Sequence, residues 1–348
     1  MKLLMTIWYL AVSLATAAIV GALVVIAARL IRMAIETRRK QRRGELLLEL
    51  LTAIEADRTP PELIDELRRN RRQAADLLAE LSAIIRGVSR ERLFAVARDA
   101  NLDVWLVSQL KAWSRHKRRA AAELLGLFDE PDATAALQEA LKDTDEDVRL
   151  TAALGLAERN QEPPTEILLS RLQAGTREHS LLLRRLFELI VIERPDDVLA
   201  VAEGRIGHPS LRPAAIDALG ASGRADLAGA IATMARDPER NVRASALRAL
   251  GALGHPAAAE VIAEGLRDED WQVRVRAIDA ARRVRLVDLV PGIAKLLDDE
   301  AWWVRFRAAE ALAAMGESGR QVLQKVASNG PDLARRTAAM MLAEQSII

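Results

Sequence analysis

An all-α solenoid of about eight helical hairpins, preceded by one transmembrane helix, is the fold class that this sequence predicts. Three observations predict it. Half of the 348 residues are hydrophobic yet only 3% are aromatic. That is an alanine- and leucine-rich composition that favours helix, poor in the residues that favour strands. One phrase also recurs every 31 residues: "DPERNVRASALRALGALG" from Asp237, "DEDWQVRVRAIDAARR" from Asp268 and "DDEAWWVRFRAAEALAAMG" from Asp298. Finally, Leu3 to Ala28 runs for 26 residues without a charge.

That uncharged run, "LLMTIWYLAVSLATAAIVGALVVIAA", would be roughly 39 Å long as a helix, at about 1.5 Å per residue. This spans the roughly 30 Å apolar core of a bilayer with some tilt. A cleaved secretory signal is the rival, with Ala15-Thr16-Ala17 as its cleavage site. Eleven more apolar residues follow Ala17 before the first charge, and Lys2 alone is a weak basic start, so an anchor is the better reading. Arg29, Arg32, Arg38, Arg39, Lys40, Arg42 and Arg43 follow the span, and only Lys2 precedes it. The positive-inside rule then places the C-terminal body in the cytoplasm, at an inner membrane. Ser13, Ala17 and Gly21 share one helix face and would let a second membrane helix approach. Arg38, Arg39, Lys40, Arg42 and Arg43 would also attract anionic headgroups, at about 1 kcal/mol each.

Domain organisation follows: 1–43 is the anchor with its basic tract, 44–100 a helical cap, 101–348 the repeats. The cap region is helical in pattern, as in "ELLLELLTAIEAD", broken at Arg58–Pro61 ("RTPP"), and lacks the repeated phrase. Terminal units of a stack are often atypical because they close it. In the repeats, Val273 opens one apolar stripe with Ala277, Ala280, Ala281 and Val284, the spacing of one helix face. Val304, Ala308, Ala311 and Leu312 repeat it, as do Val242, Ala246, Ala249 and Leu250. Units start at 117, 148, 211, 242, 273, 304 and 334. The gap after 148 holds two periods, which predicts a degenerate unit near "HSLLLRRLFELI" (179–190). A second helical stretch precedes each of these helices, as at 163–175, 255–266 and 289–297. A single hairpin cannot bury its own stripe, but stacked neighbours can.

The pattern D-x-x-x-x-V-R-x-x-A-x-x-A-L-G resembles a HEAT repeat, of the short bacterial type named after phycobilisome lyases. The resemblance implies a ladder of hydrogen bonds between units, made by an Asp before the second helix and an Arg just inside it. Asp143 and Arg149, Asp237 and Arg243, Asp268 and Arg274, and Asp299 and Arg305 match. Asn329 and Arg335 match with a substitution. Ala112 and Ile206 replace the Asp ahead of Arg118 and Arg212, so a break is expected there. An Asp at such a turn can also cap the helix behind it.

Chemistry is sparse. There is no cysteine, hence no disulfide framework, thiolate metal site or cysteine nucleophile. His116, His179, His208 and His255 are scattered, and no metal, phosphate-loop or hydrolase motif occurs. Net charge is +1 overall, but the residues from 44 on carry −6, a poor balance for a nucleic-acid binder. No cofactor or small-molecule substrate is expected. "SRHKRR" (114–119) is a local basic cluster that would face a membrane surface or an acidic partner, or simply solvent. Trp271, Trp302, Trp303 and Phe306 gather four of the chain's eleven aromatics into two adjacent repeats, as a partner-docking patch or as gap-filling core. The function expected is a non-enzymatic, membrane-anchored scaffold or adaptor that binds a partner protein. The alternative is a regulatory subunit of a membrane glycosyltransferase, polysaccharide or envelope export complex. A lyase-type enzyme ranks below both.

Overall fold

The computed structural model describes residues 5, 8, 26, 29 and 33, and then 41–56, 58–172, 181–255 and 258–345. The chain divides into two compact units, Met1–Gln109 and Leu110–Ile348. Among the described residues all regular structure is helical.

The first unit contains α1 (41–56), α2 (Pro61–Arg69), α3 (Arg71–Ile84), α4 (Val88–Asp99) and α5 (Leu102–Gln109). The "RTPP" break starts α2 because Pro61 stands at a first-turn position, where its missing N–H costs nothing. Leu46, Leu50, Leu63, Leu67, Leu77, Leu78 and Leu93 are buried. Arg92 donates to the Ile54 carbonyl (3.1 Å) and Arg68 to the Asp99 carbonyl (2.6 Å). These guanidiniums satisfy carbonyls near helix ends that have no intrahelical partner.

The expected span at 3–28, with its contact face Ser13, Ala17 and Gly21, lies outside the described residues except at Met5, Trp8 and Ile26. Among the described residues no helix is long and apolar enough to cross a membrane. Arg38, Arg39 and Lys40 also lie outside them. Arg42 and Arg43, also expected at lipid headgroups, are among the described residues and form surface ion pairs. Arg42 bonds Glu66 at 3.1 Å and Arg43 bonds Glu80. Both pairs sit at the surface, where they tie the start of α1 to α2 and α3.

The second unit runs α6 (Arg115–Leu125), α7 (Pro131–Ala140), α8 (Glu146–Ala157), α9 (Thr165–Leu172), α10 (Leu181–Glu193), α11 (Pro195–Ala202), α12 (Arg212–Ala221), α13 (Ala228–Met234), α14 (Arg240–Leu253), α15 (Ala259–Gly265), α16 (Trp271–Val284), α17 (Val290–Lys295), α18 (Trp302–Ala314), α19 (Gly316–Asn329) and α20 (Asp332–Gln345). The even-numbered helices form one continuous row, each packed on the next from α6 to α20. Helices α7, α11, α13, α15, α17 and α19 each pack on the even helix that follows, while α9 packs on α8. The predicted stripe forms the seam: Val148, Val242, Val273, Val304 and Ala152, Ala246, Ala277, Ala308 are fully buried. The degenerate unit is α10. It buries Leu183, Leu186, Phe187 and Ile190, the same face counted from His179, one period after Val148.

The glycine that closes the repeated phrase has a packing cause. A methyl group at Gly126, Gly220 or Gly251 would stand 2.8, 2.5 or 2.8 Å from the Cα of Gly155, Ala249 or Ala280 on the next helix of the row. Only a residue without Cβ allows so close an approach. Three successive row helices also end in left-handed backbone, at Gly254 (φ 67°), Arg285 (φ 58°) and Gly316 (φ 78°).

Candidate functional site

The ladder is present and its direction is now defined. Each arginine reaches forward to the aspartate 25 residues ahead, in the next unit. Arg118 holds Asp143 with two bonds (2.7 and 2.9 Å), Arg243 holds Asp268 (2.8 and 2.9 Å), Arg274 holds Asp299 (2.7 and 2.8 Å), and Arg212 reaches Asp237 at 2.6 Å. Within a unit the arginine meets only the aspartate's backbone carbonyl: Arg149 with Asp143 (2.8 Å), Arg243 with Asp237 (3.1 Å), Arg274 with Asp268 (2.9 Å) and Arg305 with Asp299 (2.7 Å).

Three expectations are corrected. Arg118 and Arg212 are not broken rungs, since both pair forward. The losses fall where the next unit has no aspartate. Arg149 turns to the Leu172 carbonyl (3.2 Å), and the buried Nε atoms of Arg149 and Arg305 have no hydrogen bond among the described residues. Arg335 pairs with Asp332 rather than with Asn329, which is the last residue of α19. Nor do the ladder aspartates cap the following helix. Asp143, Asp237, Asp268 and Asp299 each accept the N–H two residues on, at 2.8–2.9 Å, and so close the turn. The caps stand two residues later, at Asp145 and Asp270, which accept from the first turns of α8 and α16.

A second row of ion pairs crosses the same helices. Asp217 of α12 binds Arg248 of α14, and Asp279 of α16 binds Arg307 of α18. Burial pushes the Asp217 carboxyl above its ordinary range, against the opposing pull of Arg248. Burial lowers the Arg276 guanidinium, and the like charge of Arg248 adds to it. These charges are spent on one another. Among the described residues no cluster of three or more His, Asp or Glu could hold a metal ion. His116, His208 and His255 stand apart, and His179 lies outside the described residues. The ring of His208 accepts the Ser210 N–H at 3.3 Å, which makes it part of a turn.

The aromatic residues differ in kind because their rings face out. Trp302 is 50% exposed, Trp303 55% and Trp271 39%, with Phe306 half-buried. Trp302 stacks on Phe306 (centroids 5.3 Å, 14°), and Trp303 meets Trp302 edge-on (4.7 Å, 75°) and Phe306 edge-on (6.4 Å, 88°). The first two turns of α18 thus hold three rings in one cluster, with Trp271 in the same place on α16. Glu269 and Glu300, each 91% exposed, stand two residues ahead of Trp271 and Trp302. Rings held by one another and left in water form a rigid apolar surface. Sequence reasoning passed over a fourth exposed indole. Trp113 is 99% exposed, and its position directly before "SRHKRR" was the available signal.

Models of HEAT repeats match residues 104–179, 205–270 and 259–343. No curated protein matches the chain. Among solved structures it is similar to Kap121p at 14% identity and TM-score 0.45, over 85% of this chain and 39% of that one. It is similar to Kap95p, in a structure with RanGDP, at 15% identity and TM-score 0.48, over 87% and 48%. It is also similar to the complex of CpcE and CpcF of phycocyanin lyase from Nostoc sp. PCC7120, at 19% identity and TM-score 0.30, over 68% and 74%. The chain therefore spans less than half the length of the Kap121p and Kap95p chains. The matched repeats cover more than half of the sequence, and the chain belongs to the HEAT-repeat family.

Proposed function

We propose that this protein is a non-enzymatic scaffold or adaptor that binds a partner protein through its HEAT solenoid. Its segment 3–28 anchors it in the inner membrane, with the solenoid in the cytoplasm. The observation that carries the docking role is the exposed cluster of Trp302, Trp303 and Phe306. Large aromatic side chains held rigid in water are the residue type that dominates binding energy at protein interfaces. The uncharged run and the basic residues after it support the anchor and its orientation.

The test is affinity purification of the full chain in mild detergent from its own host, beside a Trp302→Ala/Trp303→Ala double variant. One protein should be retained in stoichiometric amount by the wild type and lost by the variant, with both remaining folded and melting cooperatively well above the assay temperature. Equal retention by the two would sink the docking role. Extraction of the wild type from membranes by alkaline carbonate alone would sink the anchor.

A further inference from the structure

The turn that leads into α6 presents Trp113 with 99% of its surface exposed, more than any other described large hydrophobic residue. An indole of roughly 150–250 Å² is normally covered in folded proteins. On either side of it in the sequence Lys111, Arg115, His116, Lys117 and Arg119 are exposed. Arg118 is withdrawn from this group because Asp143 holds it. Arg115 lies 3.9 Å from Asp145, whose carboxylate already accepts the Asp147 and Val148 N–H groups. Lys111, His116, Lys117 and Arg119 have no ion pair among the described residues. The first turn of α6 contains no acidic residue, so its cations crowd the positive end of the helix dipole. Nothing in the stack needs this arrangement, since the ladder uses Arg118 alone.

We propose that Trp113 and the cations beside it form a contact for an anionic lipid surface, separate from the segment at 3–28. Indoles favour the headgroup layer, where a ring meets both apolar chains and water. Lysine and arginine side chains reach phosphates from the same depth. An acidic protein partner would meet the charges, but the Trp113 ring projects with 99% of its surface exposed and would stay largely uncovered by a single extended peptide. Trp113 borders a shallow groove with Ser114, Arg115, Arg118, Thr144 and Asp145, in which Arg118 is held by Asp143 and Asp145 by the first turn of α8. A headgroup layer satisfies ring and charges at once.

The test uses the full chain in vesicles of phosphatidylcholine alone or mixed with phosphatidylglycerol, with lipids brominated near the headgroup end of the acyl chain. The difference in emission between wild type and Trp113→Phe isolates Trp113. In the anionic vesicles bromine should at least halve that difference, and in the neutral ones it should leave it unchanged. A Lys111→Glu/Lys117→Glu/Arg119→Glu variant with an unchanged melting transition should lose the quenching. Absence of quenching in both compositions, or equal quenching in both, overturns the proposal. So does shielding of Trp113 from an aqueous quencher by a poly-glutamate peptide without lipid quenching, which would assign the patch to an acidic partner. Retention on neutral vesicles reports segment 3–28 by itself, so failure of the anchor and failure of this contact are read separately.

Discussion

Arg274 and Asp299, 25 residues apart, share two parallel hydrogen bonds of 2.7 and 2.8 Å, and their side chains are only 9% and 7% exposed. The same guanidinium donates to the Asp268 and Glu269 carbonyls of its own unit, at 2.9 and 3.0 Å. One side chain thus closes its own turn and joins it to the next.

Removing one partner of such a pair leaves a buried charge uncompensated, which costs about 3–5 kcal/mol. Asp299→Ala should therefore lower the denaturation midpoint strongly. Asp332→Ala, which breaks only the exposed pair with Arg335, should change stability by about 0.5 kcal/mol or less. Urea unfolding followed by circular dichroism checks both.

Two aspartates should respond to pH in opposite senses. Burial raises the Asp143 carboxyl, but the bonds from Arg118 and from the Asp145 N–H outweigh it, and the result lies below the ordinary range. Its contribution is present above the unfolded carboxylate pKa and is lost as pH falls through the folded one. Asp217 is raised by burial, so its contribution is lost as pH rises through its folded pKa. Asp143→Asn should lose stability against wild type at neutral pH and recover in acid. Asp217→Asn should gain against wild type as pH rises from acid to neutral. Denaturation midpoints across that range decide it.

The glycines divide by what lies over them. Gly251→Ala places a methyl group 2.8 Å from the Ala280 Cα and should destabilise by about 1–3 kcal/mol. Gly229→Ala, in α13 with nothing within 4 Å, should stabilise by about 0.5–1 kcal/mol through helix propensity. Thermal melts of the two variants should move in opposite directions.

Arg285 occupies the left-handed position that Gly254 and Gly316 occupy on the flanking helices. Left-handed backbone costs an L-residue roughly 1–2 kcal/mol, part of which returns as glycine's greater unfolded freedom. Arg285→Gly should raise stability by about 0.5–1 kcal/mol. A lowered melting temperature would show that the Arg285 side chain contributes more than its backbone costs.

Trp302→Ala removes a half-exposed ring stacked on Phe306 and should cost about 1 kcal/mol or less. Leu312→Ala, fully buried on the same helix, should cost about 2–5 kcal/mol. Equal losses in calorimetry would place Trp302 in the core and remove it from any docking role.

The Val–Ala–Leu stripe and its 31-residue period were legible in the sequence. Burial along one helix face depends on spacing within a single helix, and the sequence states that spacing directly. About eight units followed from it, with a degenerate one near 179–190, but the register of that unit was fixed only by the burial of Leu183, Leu186, Phe187 and Ile190 in α10. The direction of the ladder was not legible. Asp268 stands six residues before Arg274 in the same unit and 25 after Arg243 in the unit before. Only the stacking distance decides that the carboxylate faces Arg243 and the carbonyl Arg274. The same holds for Gly251, whose need to be glycine arises from Ala280 on another helix. It holds also for the two outward-facing sites. Trp302 and Trp113 read alike as letters, and both could have filled gaps between alanine-rich helices. Their exposure is set by what the neighbouring units leave uncovered, a property of the assembled stack that no single stretch of the chain contains.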